Sequence, residues 1–245
     1  MSVLFLLLGL AAGSFLNLCI DRLPKEESIL CPPSHCDICQ HRLGPLDLIP
    51  LLSYLYLRGR CRYCGAPIHF RVPLVEAMTG LIFVLLWNHY GFSIELPLII
   101  LFTCFFIIIL IIDLEHHLIL SRVVYPAIAL AVLTLVLTPE SEIMSAVIGG
   151  VTGAATLLLL VLIFPGSMGM GDVKLAALIG LLVGFPQVFI ALLICFILGG
   201  VVASGLLLSK LKGRKDPIPL APFLTAGLIT TVFYGEEIMR LYLGG

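Results

Sequence analysis

Long apolar runs separated by polar loops dominate the chain and predict transmembrane helices. Several runs reach the roughly 18 apolar residues that cross a hydrocarbon core of about 30 Å. A single segment in lipid satisfies its backbone groups only as a helix, so we expect an all-α polytopic membrane protein with about eight spans. The predicted spans are approximately Val3 to Ile20, Leu74 to Tyr90, Leu96 to Ile112, Val123 to Leu137, Ile143 to Phe164, Val173 to Phe185, Gln187 to Ser209 and Ile218 to Leu241.

The sixth run, Val173 to Phe185, is short for a full crossing at about 1.5 Å of rise per residue. Removing it from the list would nevertheless place the basic cluster at residues 210–215 on the opposite side of the membrane. We therefore predict a crossing that begins below the membrane surface. The preceding glycine loop would then dip into a cavity lined by protein.

The basic residues indicate the orientation. With these spans, every Lys and Arg except Arg240 falls on one side, which the positive-inside rule places in the cytoplasm. The first run has no basic residue before it and no small-residue cleavage site after it, so we expect a retained span rather than a signal peptide. The N-terminus is therefore predicted to lie outside.

The overall composition agrees with a membrane protein. Hydrophobic residues make up 60% of the chain and charged residues 12%, against roughly 45–50% and 25% in soluble domains. The formal net charge of −1 argues against a nucleic-acid partner, because phosphate binding requires a basic surface.

The polar segment between the first two spans contains a candidate metal site. Two C-x-x-C pairs occur there, formed by Cys36, Cys39, Cys61 and Cys64. Four thiolates at such spacings suit a tetrahedral structural zinc with no open position for catalysis, and a segment of this size has little core of its own. Free or disulfide-bonded cysteines are the alternative. Cys31 has no assigned role.

Two aspartates are candidates for chemistry. Asp113 ends the third span and Asp172 begins the sixth, so the predicted topology places both carboxylates at the same membrane face. Ionisable groups at membrane depth are costly and usually face a cavity or a partner. For either residue alone, helix capping or solvation remains the alternative.

The two aspartates together suggest peptide hydrolysis. Two nearby carboxyl groups tend to share one proton, so that one acts as base on a water molecule while the other polarises the scissile carbonyl. Asp172 follows Gly169 and Gly171 and precedes Lys174. Glycines at such a position would allow a substrate backbone to approach closely.

These residues resemble a known family, the type IV prepilin peptidases, which are aspartyl membrane proteases with a G-x-G-D motif. The resemblance rests on "GMGDVK", "GSFLNLCIDRLP", "CPPSHCDIC", "LIPLLSYLYLRGRCRYCGAPI" and "RVPLVE", and extends from residue 1 to about 215. It implies removal of the basic leader of prepilins and type II secretion pseudopilins after a glycine, at the cytoplasmic face of the bacterial inner membrane. It also implies N-methylation of the new terminal residue with S-adenosylmethionine.

Carried over to this chain, the resemblance assigns the catalytic pair to Asp113 and Asp172, and zinc-type ligands to the four paired cysteines. It further implies a division into a first transmembrane helix (1–20), a cytoplasmic zinc-binding and methyltransferase segment (21–73) and a membrane-embedded protease domain (74–245). One departure concerns residues 118–121, which read "LILS" where family members often have Ile-Pro-Asp.

The methyl-donor residues are predicted on chemical grounds. A sulfonium ligand favours acids and aromatic faces, which makes Glu76 and Asn17 candidates. A buried hydrogen-bonding role within the helix bundle is the alternative for Asn17. His116 and His117 follow Asp113 closely and are interpreted as interfacial residues, although they could tune its pKa.

Two other classes of function remain open from sequence. Intramembrane acids would also serve a proton-coupled transporter, although we find no internal symmetry of the kind that transporters show. Alternatively, the zinc segment and the membrane helices would only assemble a partner protein.

Overall fold

The computed structural model describes residues 1–135, 140–166, 168–210, 213 and 217–243. Within these ranges the secondary structure is helical, with two isolated β-bridges in the cysteine-containing segment. A short 3-10 helix covers Pro45–Leu48. The α-helices are α1 (Ser2–Arg22), α2 (Leu52–Tyr56), α3 (Arg71–Tyr90), α4 (Glu95–His116), α5 (Ser121–Leu135), α6 (Glu140–Ile163), α7 (Met170–Val183), α8 (Gln187–Leu208) and α9 (Ala221–Leu243).

The prediction of an all-α membrane protein is confirmed. In the described part of the chain, five helices are long and apolar enough to cross a membrane, namely α1, α3, α4, α6 and α8. α5 and α7 have 15 and 14 residues and are shorter, so the count of eight crossings stays a prediction. The predicted end of the fourth span at Leu137 and the basic residues Lys212, Arg214 and Lys215 lie outside the described residues.

The chain forms two compact units, Met1–Ile108 and Ile109–Gly245. In the first unit, α1 packs against α3 at very short range. A Cβ atom on Gly9 would lie 2.7 Å from the Cα of Gly80, and one on Gly13 would lie 2.7 Å from the Cα of Glu76. Only glycine permits such an approach, which brings polar side chains of the two helices close together at one end of the pair.

In the second unit, α7 occupies the centre and contacts α5, α6, α8 and α9. Leu175, Ala176, Leu178 and Ile179 in its middle have no exposed surface. The G-x-x-x-G pair of α6, Gly149 and Gly153, packs against backbone carbonyls of Gly180 and Ala176 in α7. Neighbouring helices therefore surround this short helix. Its length does not have to match the thickness of the hydrocarbon core on the sides that face protein.

Candidate functional site

Asp113 lies in the last turn of α4 and is almost completely buried. Its side chain is 4% exposed, and its Oδ2 atom accepts a hydrogen bond of 2.8 Å from the backbone N–H of Ala221. Ala221 is the first residue of α9, where the N–H groups have no partner within the helix. The carboxylate of Asp113 thus caps α9 while it remains part of α4.

Asp172 lies in the first turn of α7 and is partly buried. Its Oδ2 atom accepts a hydrogen bond of 3.0 Å from the backbone N–H of Gly169, the residue that precedes the helix. An acidic side chain at this position also interacts favourably with the positive end of the helix dipole. The capping role that sequence alone suggested is therefore present, and it orients the carboxylate.

The turn between α4 and α5 joins the two acidic segments. A Cβ atom on Gly171 would lie 2.6 Å from the Cβ of Ile119, so the start of α7 packs directly on this turn. Lys174 donates a hydrogen bond of 2.7 Å to the hydroxyl of Ser121, and its ammonium group lies 4.8 Å from the centre of the Tyr125 ring. These contacts hold the segments that carry Asp113 and Asp172 against the same turn.

The two glycines of the motif differ in what surrounds them. Gly171 is required for the contact with Ile119, whereas a Cβ atom on Gly169 would meet only ordinary van der Waals neighbours at 3.6 Å or more. The backbone at Gly169 is extended, with φ −87°, a conformation open to any residue. Gly171 therefore has a packing role within the fold. That Gly169 leaves room for a substrate backbone stays a prediction.

His116 and His117 have exposed side chains. His117 takes the left-handed conformation, with φ +53°, and its backbone N–H donates a hydrogen bond of 2.9 Å to the carbonyl of Asp113. His117 therefore ends α4 one turn after the candidate catalytic residue Asp113. This geometry agrees with the interpretation of interfacial histidines at a helix end.

An apolar cavity of about 290 Å³ lies beside the acidic segments. Met168 lines it directly before the G-x-G-D motif, and Leu220 lines it directly before Ala221. Cys195, Gly199 and Phe223 form further parts of its wall. The cavity thus lies beside the motif that contains Asp172 and beside Ala221, which bonds to Asp113. It has room for a nonpolar side chain.

The four paired cysteines form a compact cluster. Their Sγ atoms all lie within 4.8 Å of one another, and the Sγ atoms of Cys36 and Cys64 are 3.9 Å apart. Zinc–sulfur bonds of about 2.3 Å give a tetrahedron with edges of about 3.8 Å. The donor set therefore fits a structural zinc ion, as the spacing predicted, and Cys31 lies outside the cluster.

The two cysteine pairs adopt the same local fold. In the first, the N–H of Gln40 donates to the carbonyl of Cys36 at 2.8 Å; in the second, the N–H of Gly65 donates to Cys61 at 3.0 Å. Gln40 and Gly65 both have positive φ angles, +57° and +73°. Each C-x-x-C is thus followed by a residue in the left-handed region, which turns the chain back around the cluster.

Local backbone hydrogen bonds favour the thiolate form of Cys36. Backbone hydrogen bonds from Cys39 and Ile38 lower the pKa of the Cys36 thiol from its ordinary value of 9.0 to about 7. The thiolate is the form that binds metal. The rings of His41 and Tyr63 stack with centroids 3.6 Å apart and hold the two cysteine loops together.

The two residues predicted for the methyl donor occupy different positions. Asn17 donates from Nδ2 to the carbonyl of Val72 at 3.0 Å and lines a cleft of about 500 Å³. Glu76 is 5% exposed and accepts a hydrogen bond of 2.8 Å from the N–H of Leu51, a residue with a positive φ of +59°. The lining of the cleft includes Asn17 and does not include Glu76.

Three residues with roles in these sites were not predicted from the sequence, namely Arg22, Ser121 and Ala221. Arg22 is 6% exposed, and its guanidinium donates to the carbonyls of Ser28, Ile29 and Pro33. Ser121, at the start of α5, follows a helix-start pattern that the sequence does contain. Ala221 acts through its backbone N–H, for which the side-chain identity gives no signal.

Comparisons with known proteins agree with this architecture. Residues 7–90 match the bacterial peptidase A24 N-terminal domain, and residues 100–204 match the type IV leader peptidase family. No solved structure matches the chain.

Several curated relatives carry the name prepilin leader peptidase/N-methyltransferase. The protein of Bacillus subtilis is 30% identical over 99% of this chain and 98% of its own length. The protein of Pseudomonas aeruginosa is 30% identical over 97% and 92%, and that of Aeromonas hydrophila 32% identical over 98% and 93%. With two family models and near-complete coverage of these relatives, the chain belongs to the type IV leader peptidase family.

Proposed function

We propose that this protein is a membrane aspartyl peptidase and N-methyltransferase. It cleaves the basic leader from the N-terminal segments of type IV prepilins or type II secretion pseudopilins after a glycine, and then methylates the new N-terminal residue. The names of the curated relatives support both activities. They give no support to the transporter alternative.

The observation that carries the peptidase proposal is the joining of Asp113 and Asp172 within one compact unit. Each carboxylate has one oxygen fixed by a backbone N–H, from Ala221 and from Gly169 respectively. Because the turn at Ile119 packs on Gly171, the end of α4 and the start of α7 are held together. Both acids are thus positioned before a substrate arrives.

The reaction assigned to this pair is hydrolysis of a peptide bond. The ionised member of the pair removes a proton from water, whose oxygen adds to the carbonyl carbon, while the protonated member donates a hydrogen bond to the carbonyl oxygen. A proton then passes to the leaving nitrogen and the C–N bond breaks. The products are a carboxylic acid on the leader and a new N-terminal amine on the pilin.

The apolar cavity beside the pair supports binding of a hydrophobic pilin segment. Met168 precedes the G-x-G-D motif, and Leu220 precedes Ala221, whose N–H holds Asp113. A nonpolar side chain next to the cleavage site would lie there, while the basic leader remains on the aqueous side.

For the second activity, bound S-adenosylmethionine would supply a methyl group to the new amine, with cleavage of its sulfonium–methyl bond, release of S-adenosylhomocysteine and loss of one proton from the nitrogen. The protein's own contribution is to bind the donor and to hold the amine beside it. We assign the four-cysteine cluster a structural role, because four sulfur ligands leave zinc no open position.

The distribution of basic residues supports an inner-membrane protein with its N-terminus outside and its active site facing the cytoplasm. This orientation agrees with a substrate whose basic leader stays in the cytoplasm. Accessibility of single introduced cysteines to a membrane-impermeant reagent in intact cells would test it. Labelling of a cysteine placed at Ser2 from outside is the expected result.

Purified protein in lipid nanodiscs, incubated with a prepilin, tests the peptidase. Asp113→Asn and Asp172→Asn should each abolish cleavage. Glu95→Gln, an exposed acid at the opposite end of α4, is the matched control and should cleave normally. Cleavage at the wild-type rate by either aspartate variant would refute the catalytic pair.

Mass spectrometry of the product separates the two activities. Loss of the leader reports cleavage, and a further gain of one methyl group with S-adenosylmethionine reports transfer. The two aspartate variants should still methylate a pilin supplied without its leader and with Phe first, because the family resemblance implies that phenylalanine is the usual new terminal residue. Loss of methylation together with cleavage would instead indicate one shared site.

A further inference from the structure

The polar end of α1 borders a cleft that the peptidase chemistry does not use. The cleft has a volume of about 500 Å³, within the range of small-molecule sites. One wall comes from α1 and the turn that follows it, and the other comes from the loop that carries the first cysteine pair. Its lining includes Ser14, Asn17 and Lys25 from the first wall and Ser34, His35 and Gln40 from the second.

Asn17 leaves a buried acceptor at this cleft. The side chain is 5% exposed, and its Nδ2 donates to the carbonyl of Val72, which also lines the cleft. This bond fixes the orientation of the amide, because the reverse orientation would set two acceptors against each other. Among the described residues, nothing donates a hydrogen bond to Asn17 Oδ1. Buried polar atoms are nearly always paired, so this oxygen indicates a ligand with an N–H or O–H group.

Charges of both signs surround the cleft. Lys25, Glu27 and Asp37 are exposed on its lining, while the guanidinium of Arg22 is buried and donates to backbone carbonyls. Asp21 is paired with Arg71 at 2.6 Å. A zwitterionic amino acid that also carries a sulfonium requires a cation for its carboxylate and acids for its two positive groups.

We infer that this cleft is the binding site of the methyl donor, a nucleoside linked through a sulfonium to a zwitterionic amino acid. Asn17 Oδ1 accepts a hydrogen bond from an N–H of the ligand. Lys25 faces the ligand carboxylate, and Glu27 and Asp37 face its positive groups. The inference rests on the proposed methyltransferase function and adds the cleft and the side chains that bind the donor.

The same geometry gives Glu76 a different role from Asn17. Glu76 interacts with Ser14, a residue of the cleft wall, and accepts the hydrogen bond that holds Leu51. It is therefore a positioning residue, which supports the wall without touching the donor.

Calorimetric titration of the full-length protein in nanodiscs with S-adenosylhomocysteine tests the site without any turnover. Asn17→Ala and Asp37→Asn should each raise Kd by roughly five- to tenfold, the expected loss for one hydrogen bond to a ligand. Asn88→Ala, at the other end of the α1 and α3 pair, is the matched control and should bind as the wild type does. Zinc content and thermal unfolding verify that each variant is folded.

A second measurement does not depend on any variant. Ultraviolet cross-linking of radiolabelled S-adenosylmethionine to the wild-type protein, followed by peptide mapping, should label residues 14–43. Labels confined to residues 109–243, or unchanged affinity in both cleft variants, would overturn the site and leave the methyltransferase function standing. A wild-type protein that neither binds the donor nor methylates a Phe-first pilin would overturn both.

Discussion

The buried carboxylate of Asp113 is held by the backbone N–H of Ala221, a residue 108 positions later in the chain. This hydrogen bond joins the end of α4 to the beginning of α9. It gives the carboxylate a fixed orientation that does not depend on any other side chain. Aspartyl chemistry requires such an orientation, because a carboxyl group that rotates freely would seldom face both water and substrate.

Ala221→Pro should remove this hydrogen bond while α9 remains intact. Proline is well tolerated in the first turn of a helix, where its missing N–H has no intrahelical partner. A hydrogen bond to a charged group contributes about 1.5–3 kcal/mol, so we expect cleavage to slow by roughly 10- to 100-fold. Steady-state cleavage of a fluorogenic prepilin peptide measures the change.

The control for this substitution is Ala221→Gly, which keeps the N–H group and should retain most of the activity. A proline variant as active as the glycine variant would show that the Ala221 hydrogen bond does not orient the catalytic carboxylate. Helical content from circular dichroism should be equal in the two proteins.

The two glycines of the G-x-G-D motif should respond differently to alanine. Gly171→Ala places a Cβ atom 2.6 Å from Ile119 Cβ and should therefore lower the thermal stability as well as the cleavage rate. Gly169→Ala has room in the fold, so its stability should be near that of the wild type. If Gly169 provides clearance for a substrate backbone, its alanine variant should show a raised KM.

Differential scanning fluorimetry and initial-rate kinetics together separate these effects. Equal losses of stability in both variants would show that Gly171 has no packing role that Gly169 lacks. A Gly169→Ala enzyme with normal KM would contradict the clearance role alone.

The sequence indicates candidate acids and cysteines, but it does not indicate which contacts hold them in place. Asp113, Asp172 and the two C-x-x-C pairs were identifiable because these residue types are rare at membrane depth or occur at metal-binding spacings. Their supports were not identifiable. The N–H of Ala221 belongs to the backbone, and the contact of Gly171 with Ile119 depends on tertiary packing that no local pattern encodes.

The close packing of α1 on α3 is a further example. Gly9 and Gly13 form a G-x-x-x-G pair and therefore share one face of α1, but the sequence does not indicate that this face packs on Gly80 and Glu76 of α3. The sequence indicates that the sixth apolar run is short, and α7 has 14 residues. The four helices that contact α7 come from tertiary packing, which no local pattern indicates.

Lys174 and Ser121 should be coupled energetically. Their 2.7 Å hydrogen bond ties the start of α5 to the first turns of α7, near the turn that follows Asp113. The partner of the lysine is a neutral hydroxyl and not an acid. A double-mutant cycle of Lys174→Met and Ser121→Ala should give a coupling energy of about 0.5–1.5 kcal/mol in the activation free energy of cleavage.

Ser121→Asp provides the complementary test of this pair. An acid at this position would form an ion pair with Lys174 and should retain activity, whereas Ser121→Ala should reduce it. Additive effects of the two single substitutions in the cycle would show that the contact does not position the active site.

Replacement of single cysteines should separate the metal ligands from their neighbour. Cys36→Ser and Cys61→Ser each remove one of four sulfur atoms that lie within 4.8 Å of one another, so bound zinc should fall to a small fraction of the wild-type amount. Cys31→Ser is the matched control, because Cys31 is exposed and lies outside the cluster. Elemental analysis by mass spectrometry measures the metal, and limited proteolysis of residues 24–73 measures order in the segment.

Since the first cysteine loop supplies one wall of the cleft at α1, the zinc-depleted variants should also bind S-adenosylhomocysteine more weakly than Cys31→Ser does. Full zinc content in Cys36→Ser would refute the ligand assignment, and full donor affinity in a zinc-depleted protein would show that the loop holds its position without metal.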